Sequence, residues 1–258
     1  MVDFANSRST GANLPRLSPK ILATFLIPLP PLEEQRRIAT ILDKADAVRR
    51  KRKEAIALTE DLLRAAFLDM FGDPVTNPKG WEIVTIESIA AKQKNSLAIG
   101  PFGSALKVCD YRDYGHPVVF VRDIKENSFH WISNVFLDDE KFKELKSHHV
   151  RPNDVVATKM GLPPCIASVY PKSMPVGVIT ADIIKVSVDE KKATPSYVSV
   201  AINSSYCKYQ VTLFTEGITR PKVTLRDFRN LKIPLPSLKE QIRWDTFYEK
   251  QRTTLNDY

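Results

Sequence analysis

The sequence predicts an α+β fold. A long helix of the coiled-coil-forming kind carries a domain built on a mixed, mainly antiparallel sheet, and a second, shorter helix closes the C-terminus. Three observations predict this. Residues 32–71 contain no Gly or Pro. From Trp81 onward, short apolar runs alternate with turn signals. A segment near the N-terminus also recurs 206 positions later, where the sheet pattern ends.

The helix comes first. Pro30-Pro31 sets an extended entry and Glu33 and Glu34 fall in the first turn, where the helix dipole favours negative charge. Gly72-Asp73-Pro74 is the stop signal. Ile38, Leu42, Ala45, Ile56, Leu63, Ala66 and Met70 follow heptad-like spacing, with Arg49, Arg52 and Thr59 interrupting the stripe. Asp46–Arg50 and Glu60–Arg64 are spaced as supporting i,i+4 pairs. Forty residues make a rod of about 60 Å. So narrow a stripe on so long a rod points to packing against another long helix, from this chain or a second one. Arg49-Arg50-Lys51-Arg52-Lys53 invites a nucleic-acid reading. Five consecutive charges wrap around a helix, however, so a solvated face beside a partner protein is the preferred reading.

The middle segment reads as strands. His116-Pro117 precedes Val118–Val121, and Arg151-Pro152-Asn153-Asp154 precedes Val155–Ala157. Lys172–Pro175 precedes Val176–Ile179, and Ile183–Val186 follows. Helices are expected over 138–147 and 195–208. The regular helix–strand alternation of parallel α/β proteins is absent.

The repeat aligns Gly11–Gln35 on Gly217–Gln241 without gaps. Identities include Pro15/Pro221, Ile27/Ile233, Pro28/Pro234, Leu29/Leu235, Pro30/Pro236, Leu32/Leu238, Glu34/Glu240, Gln35/Gln241 and Arg37/Arg243. An Ile-Pro-Leu-Pro-x-Leu-x-Glu-Gln match occurring twice is far beyond chance. The repeating unit is a strand, a proline-rich corner, a helix and a globular domain, with the same exit and helix again.

Composition excludes several classes. The 258 residues carry 43% hydrophobic and 9% aromatic side chains, enough for a core and too many for a disordered chain. No apolar run approaches the roughly 18 residues of a membrane span. Cys109, Cys165 and Cys207 are too few for a disulfide framework and lack C-x-x-C spacing. With no signal peptide before Asp3 and Arg8, a cytoplasmic location is expected. The net charge is +8, of which about +5 falls in 73–236. Such an excess points to a polyanionic partner.

The residues that carry chemistry argue against catalysis. No G-x-G-x-x-G or G-x-x-x-x-G-K-[ST] loop is present. Asn77-Pro78-Lys79-Gly80 lacks the second proline and the aromatic residue of an adenine-methyltransferase turn. His148-His149, His116 and His130 lack metal-ligand spacing, so no metal site is expected. Asp138-Asp139-Glu140 reads as a helix start. Gly100-Pro-Phe-Gly103 has the G-x-x-G form of a nucleic-acid-binding loop, with a plain turn as its default reading.

These residues resemble a known family, the specificity (S) subunits of type I restriction-modification systems, in a half-length or truncated form. The carriers are Ile27–Ala39 leading into the long helix, Phe71-Gly-Asp-Pro74 before Trp81, Gly100–Lys107, Glu216–Arg220 and Ile233–Gln241. The resemblance covers nearly the whole chain. It implies alternating target recognition domains and conserved helices. The helices pair in an antiparallel coiled coil that docks modification (methyltransferase) subunits, and through them the restriction subunit. Each recognition domain reads half of a split double-stranded DNA target. The resemblance therefore implies a non-catalytic subunit with no cofactor of its own, S-adenosylmethionine being expected on the modification subunit. On this plan residues 1–30 are the exit of a preceding recognition domain and 31–72 the spacer helix. Residues 73–236 are one whole recognition domain, and 237–258 begin the second conserved helix. A single-domain chain restores two reading sites by homodimerising and then reads an inverted repeat.

The expected DNA-contacting residues are Ser104, Lys107, Arg122, Lys159, Thr219, Arg220 and Lys222, each on a loop and each with a solvated surface residue as its alternative. Phe102 is expected to pack rather than to stack on a base. The expected partner or dimer face of the helix is Ile38, Leu42, Ala45, Ile56, Leu63 and Ala66. Two rival readings stand beside this one. The first is a truncated or silent copy that binds partner subunits or dimerises without productive DNA reading. The second is a methyltransferase fragment, which the missing motifs disfavour.

Overall fold

The computed structural model describes residues 3, 7–9, 16–215 and 221–256, the last five by backbone only. It forms two compact units, 1–57 and 58–258. Mixed helix and mainly antiparallel sheet make it α+β, the class the sequence predicts.

The first unit holds α1 (Pro19–Leu22) and the start of α2 (Leu32–Phe71). Ser18 caps α1 by accepting from the Ile21 backbone N–H. Along α2, Asp46 pairs with Arg49 at 2.6 Å and Arg50 at 3.4 Å. Glu60 and Arg64, by contrast, form no ion pair among the described residues. Such surface pairs contribute at most a few tenths of a kcal/mol, so the helix depends on what its apolar faces meet. Ile38, Ile41, Leu42, Val48 and Ile56 are all exposed.

The second unit runs through β1 (Glu82–Thr85), α3 (Ile86–Ile89), β2 (Leu97–Ile99), β3 (His116–Val119), β4 (Ile124–Lys125), β5 (Ser128–Phe129) and β6 (Phe136–Leu137). Then come α4 (Asp139–Glu144), β7 (His149–Val150), β8 (Val155–Thr158), β9 (Ala167–Val169), β10 (Gly177–Ile179) and β11 (Ile183–Val186). The chain finishes with α5 (Pro195–Asn203), α6 (Ser205–Thr215), α7 (Leu225–Asn230), β12 (Lys232–Leu235) and α8 (Leu238–Asn256). Two four-stranded sheets, ordered β6-β3-β10-β7 and β2-β11-β8-β9, form its centre. Among the described residues only β3 and β10 run parallel. Val119, Val150, Val156, Tyr170, Ile179 and Ile183 form one buried cluster drawn from both sheets.

A larger cluster joins the β2-β11-β8-β9 sheet to α5, α8 and the end of α2. Phe67 and Phe71 are buried there with Tyr197 and Trp244. Leu63, Ala66 and Met70 pack partly against the same cluster. Leu63 and Ala66, expected on a partner-facing stripe, are therefore engaged in this chain's own core.

Local chemistry moves several boundaries. The helix expected over 195–208 breaks at Ser204, whose extended backbone ends α5 and whose Oγ accepts from the Cys207 N–H at the start of α6. The one expected over 138–147 is α4, capped by Asp138 accepting from the Lys141 N–H, then a 3₁₀ turn at Lys146–His148. The apolar run through Val121 leaves the sheet after Val119 because Asp123 accepts from the Phe120 N–H and folds 121–123 into a 3₁₀ turn.

The repeat is realised as geometry. Ser18 caps α1 and Thr224 caps α7, 206 positions apart. α2 starts at Leu32 and α8 at Leu238. Gln35 Nε2 donates to the Pro30 carbonyl at 2.7 Å, and Gln241 Nε2 to the Pro236 carbonyl at 2.8 Å. In the second copy Gln241 also accepts from the Thr194 N–H and reaches the Lys192 carbonyl, which ties α8 to the domain. Here β12 pairs with β1, whereas residues 26–29 of the first copy lie in no strand and expose Leu26, Ile27 and Leu29.

Asp245 on α8 makes this docking depend on pH. Burial pushes its carboxyl up to about 6, against the hydrogen bond from Thr194 Oγ1, with Glu249 adding to the rise and Lys172 opposing it. A carboxyl with a folded-state pKa above its unfolded value contributes stability that is complete below about pH 4 and lost as pH rises through about 6. The wild-type melting temperature should therefore fall between pH 5 and 7 relative to that of Asp245→Asn. Parallel pH profiles in thermal melts would refute the assignment.

Among the described residues no helix is long and apolar enough to cross a membrane, and no cluster of three or more His, Cys, Asp or Glu could hold a metal ion.

Candidate nucleic-acid interface

Four loops of the second unit meet at one rim, and backbone contacts hold them there. Gly100 donates to the Ile183 carbonyl and lies so close to Thr180 that a Cβ would strike its carbonyl oxygen. Only glycine lets the 100–107 loop rest against the 180–182 turn. Lys159 donates its N–H to the Asp182 carbonyl at 2.7 Å and accepts from the Val223 N–H at 2.9 Å. Met160 bridges Lys222 in antiparallel fashion. The strands β2, β8 and β11 thus hold these loops in place, the arrangement a reading surface requires.

An open cleft of about 360 Å³ lies on this rim between Pro101, Gly103, Tyr111, Phe120, Arg122 and Asp182. Arg122 is exposed yet held: Nε donates to Ser133 Oγ at 2.8 Å and the guanidinium lies 4.4 Å from the Phe120 ring centroid. Ser133 is itself fixed, donating from its backbone N and Oγ to the fully buried Asp123. Asp123 further accepts from the Phe120 and Ile132 N–H groups. Burial lifts the Tyr111 phenol above its ordinary range, with Arg122 opposing and Asp110 adding, so the hydroxyl stays neutral and can both donate and accept.

The expected contact residues divide as follows. Ser104 is exposed in a 3₁₀ turn beside the cleft. Lys107 is exposed, its N–H donating to Asp110. Lys159 is half-buried, with Nζ 4.9 Å from the Phe102 ring centroid. Lys222 is exposed next to the Met160 bridge. Thr219 and Arg220 lie outside the described residues. Phe102 corrects its expected role: it is 61% exposed and meets Lys159 across the loop edge instead of packing in a core.

Sequence reasoning missed Asp182, Tyr111 and the Asp123–Ser133 support. Asp182 had a weak signal, a Thr-Ala-Asp turn between two strands. Asp123 and Ser133 meet only through the fold. The adjacent histidines diverge: His148 Nδ1 bonds the Ile99 carbonyl and His149 Nε2 the Phe142 carbonyl. His116 and His149 each stack on the Phe142 ring, with centroids 3.6 and 3.9 Å away.

The model of the type I restriction modification DNA specificity domain matches residues 1–58 and 78–246. The specificity subunit of the type I restriction enzyme MjaVIII from Methanocaldococcus jannaschii is 22% identical over 265 residues, covering 92% of this chain and 58% of that protein. The specificity subunit of the type I restriction enzyme EcoBI from Escherichia coli is 22% identical over 259 residues, covering 92% of this chain and 53% of that one. The structure of a type I restriction-modification S subunit from M. genitalium superposes with a TM-score of 0.56 at 14% identity, over 97% of this chain and 64% of the other. That likeness shows the fold. The chain spans a little over half the length of the two curated relatives.

Proposed function

The chain belongs to the type I restriction modification DNA specificity family, and from that premise we propose that it is the non-catalytic, sequence-reading subunit of a restriction-modification complex. The observation that carries this is the reach of the family match, which takes in both copies of the repeat and most of the second unit. In this reading residues 73–236 are a target recognition domain that binds one half of a split DNA target through the cleft rim. Residues 1–30 are the exit of a preceding recognition domain, and 237–258 begin a second conserved helix. Thr219 and Arg220, three and two positions before Lys222 in sequence, are proposed as further DNA contacts.

The chain docks modification subunits, which supply S-adenosylmethionine and the methyl transfer, and through them the restriction subunit. The docking face is the exposed part of the α2 stripe, Ile38, Leu42, Ala45 and Ile56. Homodimerisation through the same rod gives a two-fold reader of an inverted repeat. The exposed stripe equally favours a second reading, a copy that binds partners without reading DNA.

Modified-base sequencing of cells expressing the chain with its modification subunit separates the two. A split motif supports reading, and its palindromy supports the dimer. Co-purification with no motif in the methylome overturns reading and leaves docking.

Lys107 and Lys222 are exposed and project from the rim, so phosphates are their proposed partners. In the assembled complex Lys107→Ala and Lys222→Ala should each lower affinity for all sequences alike. Each should also reduce the slope of log affinity against log salt by about one. Unchanged slopes would remove these two residues from the interface.

A further inference from the structure

Arg122 and Asp182 line the same cleft and offer opposite hydrogen-bonding chemistry. Arg122 presents a donor fork whose Nε is already engaged by Ser133 and whose guanidinium carbon lies 4.4 Å from the Phe120 ring centroid. Its Nη1 and Nη2 have no partner among the described residues. Asp182 presents an acceptor-only carboxylate that likewise forms no ion pair there. Its backbone is locked by the Lys159 N–H.

This combination decides what the cleft takes. A phosphate would profit from Arg122 and be repelled by Asp182. A base pair in the major groove suits both, because guanine shows the O6 and N7 acceptors to a bidentate arginine while its cytosine shows the N4 amino donor to a carboxylate. An A·T pair offers the arginine a donor, adenine N6, where it needs an acceptor. The fork is also pre-organised by the buried Asp123 and by Ser133, so little side-chain freedom is lost when it engages a base.

We propose that this cleft reads one G·C pair of the target, with Arg122 on guanine, Asp182 on cytosine, and Ser133 as the residue that positions Arg122. The assignment rests on the DNA-reading function proposed above and names the base pair at that site.

The test is modified-base sequencing with the assembled complex, using wild type, Arg122→Ala, Arg122→Lys, Asp182→Ala and Ser133→Ala. Melting curves serve as folding controls, since Arg122 and Asp182 are exposed. The wild-type motif should contain a fixed G·C pair. Arg122→Ala and Asp182→Ala should both relax that same pair, with discrimination falling about 5- to 150-fold, the span of a good bidentate contact. Arg122→Lys should recover only part of it, because an ammonium lacks the fork. Ser133→Ala should give the same relaxation in weaker form. Uniformly weakened binding with an unchanged motif would make Arg122 a phosphate contact and overturn the proposal. So would relaxation at two different positions or at an A·T pair. If the wild type directs no motif, the reading function fails and this assignment falls with it, a result distinct from a motif that persists in the variants.

Discussion

Lys185→Met should cost the second unit about 3 kcal/mol, and Lys185→Met combined with Asp154→Asn should restore more than half of that. Lys185 sits on the central strand β11 with 1% of its side chain exposed, and Asp154 is 5% exposed. Nζ donates to Asp154 Oδ2 at 3.1 Å and to Ser187 Oγ at 3.2 Å. Burial pulls the Lys185 ammonium below the usual lysine range, and the Asp154 charge opposes that pull. Desolvating two ions consumes most of their mutual attraction, so the pair adds little net stability. Removing one partner is different, because the other charge stays behind in the core. Asp154 keeps the Arg151 N–H and the Ser187 hydroxyl as donors, which places the cost at the lower end of the range for broken buried pairs. Asparagine retains the acceptor for the Arg151 N–H and carries no charge. The measurement is urea unfolding followed by circular dichroism. A single variant within 1 kcal/mol of wild type, or a double variant as unstable as the single one, would contradict this account.

The lysine also bears on register. In β11 it lies opposite Ala98 and Val156 between the otherwise apolar Ile183, Ile184 and Val186. A one-residue slip of β11 would carry the ammonium, together with its neighbour Ser187, to the other face, away from Asp154. The arrangement therefore selects one pairing of a strand whose residues are apolar on both faces.

What the sequence makes legible is what local chemistry decides. The long helix is visible because forty residues hold no breaker, and both helix starts are visible because the same proline-rich corner precedes them. The repeat extends further, since the caps at Ser18 and Thr224 and the Gln35 and Gln241 hydrogen bonds fall at equivalent places. What is hidden is set by contacts distant in sequence. Phe67 and Phe71 lie off the heptad stripe and are core only because α5 and α8 cover a second face of α2. The break at Ser204 follows Asn203, whose amide is held by the Ala167 backbone and by Asn127, and no helix pattern announces those partners. At the cleft, the strand-end position of Arg122 is readable, but Asp123 and Ser133, which aim it, meet only across the β4–β5 hairpin.

Trp244→Ala should be the more damaging of the two core changes, at about 3–5 kcal/mol. Its ring is fully buried, 5.3 Å from Phe67 and 5.6 Å from Tyr248 between centroids, so truncation empties the space joining α8 to the end of α2. Trp244→Phe should cost far less, about 1 kcal/mol. It leaves most of the aromatic volume in place and removes an indole N–H that is buried without a partner among the described residues. The repeat supplies an internal control. Ile38 occupies the equivalent place in the first copy and is 43% exposed. Ile38→Ala should therefore shift the stability of the isolated chain by no more than about 0.5 kcal/mol. With modification subunits bound, the same substitution should weaken the complex if α2 carries the proposed docking face, because the partner then covers Ile38 as the domain covers Trp244. Urea titrations of the free chain and affinity measurements on the assembled complex give the two halves of the comparison. An Ile38 substitution silent in both would move the docking face off this stripe.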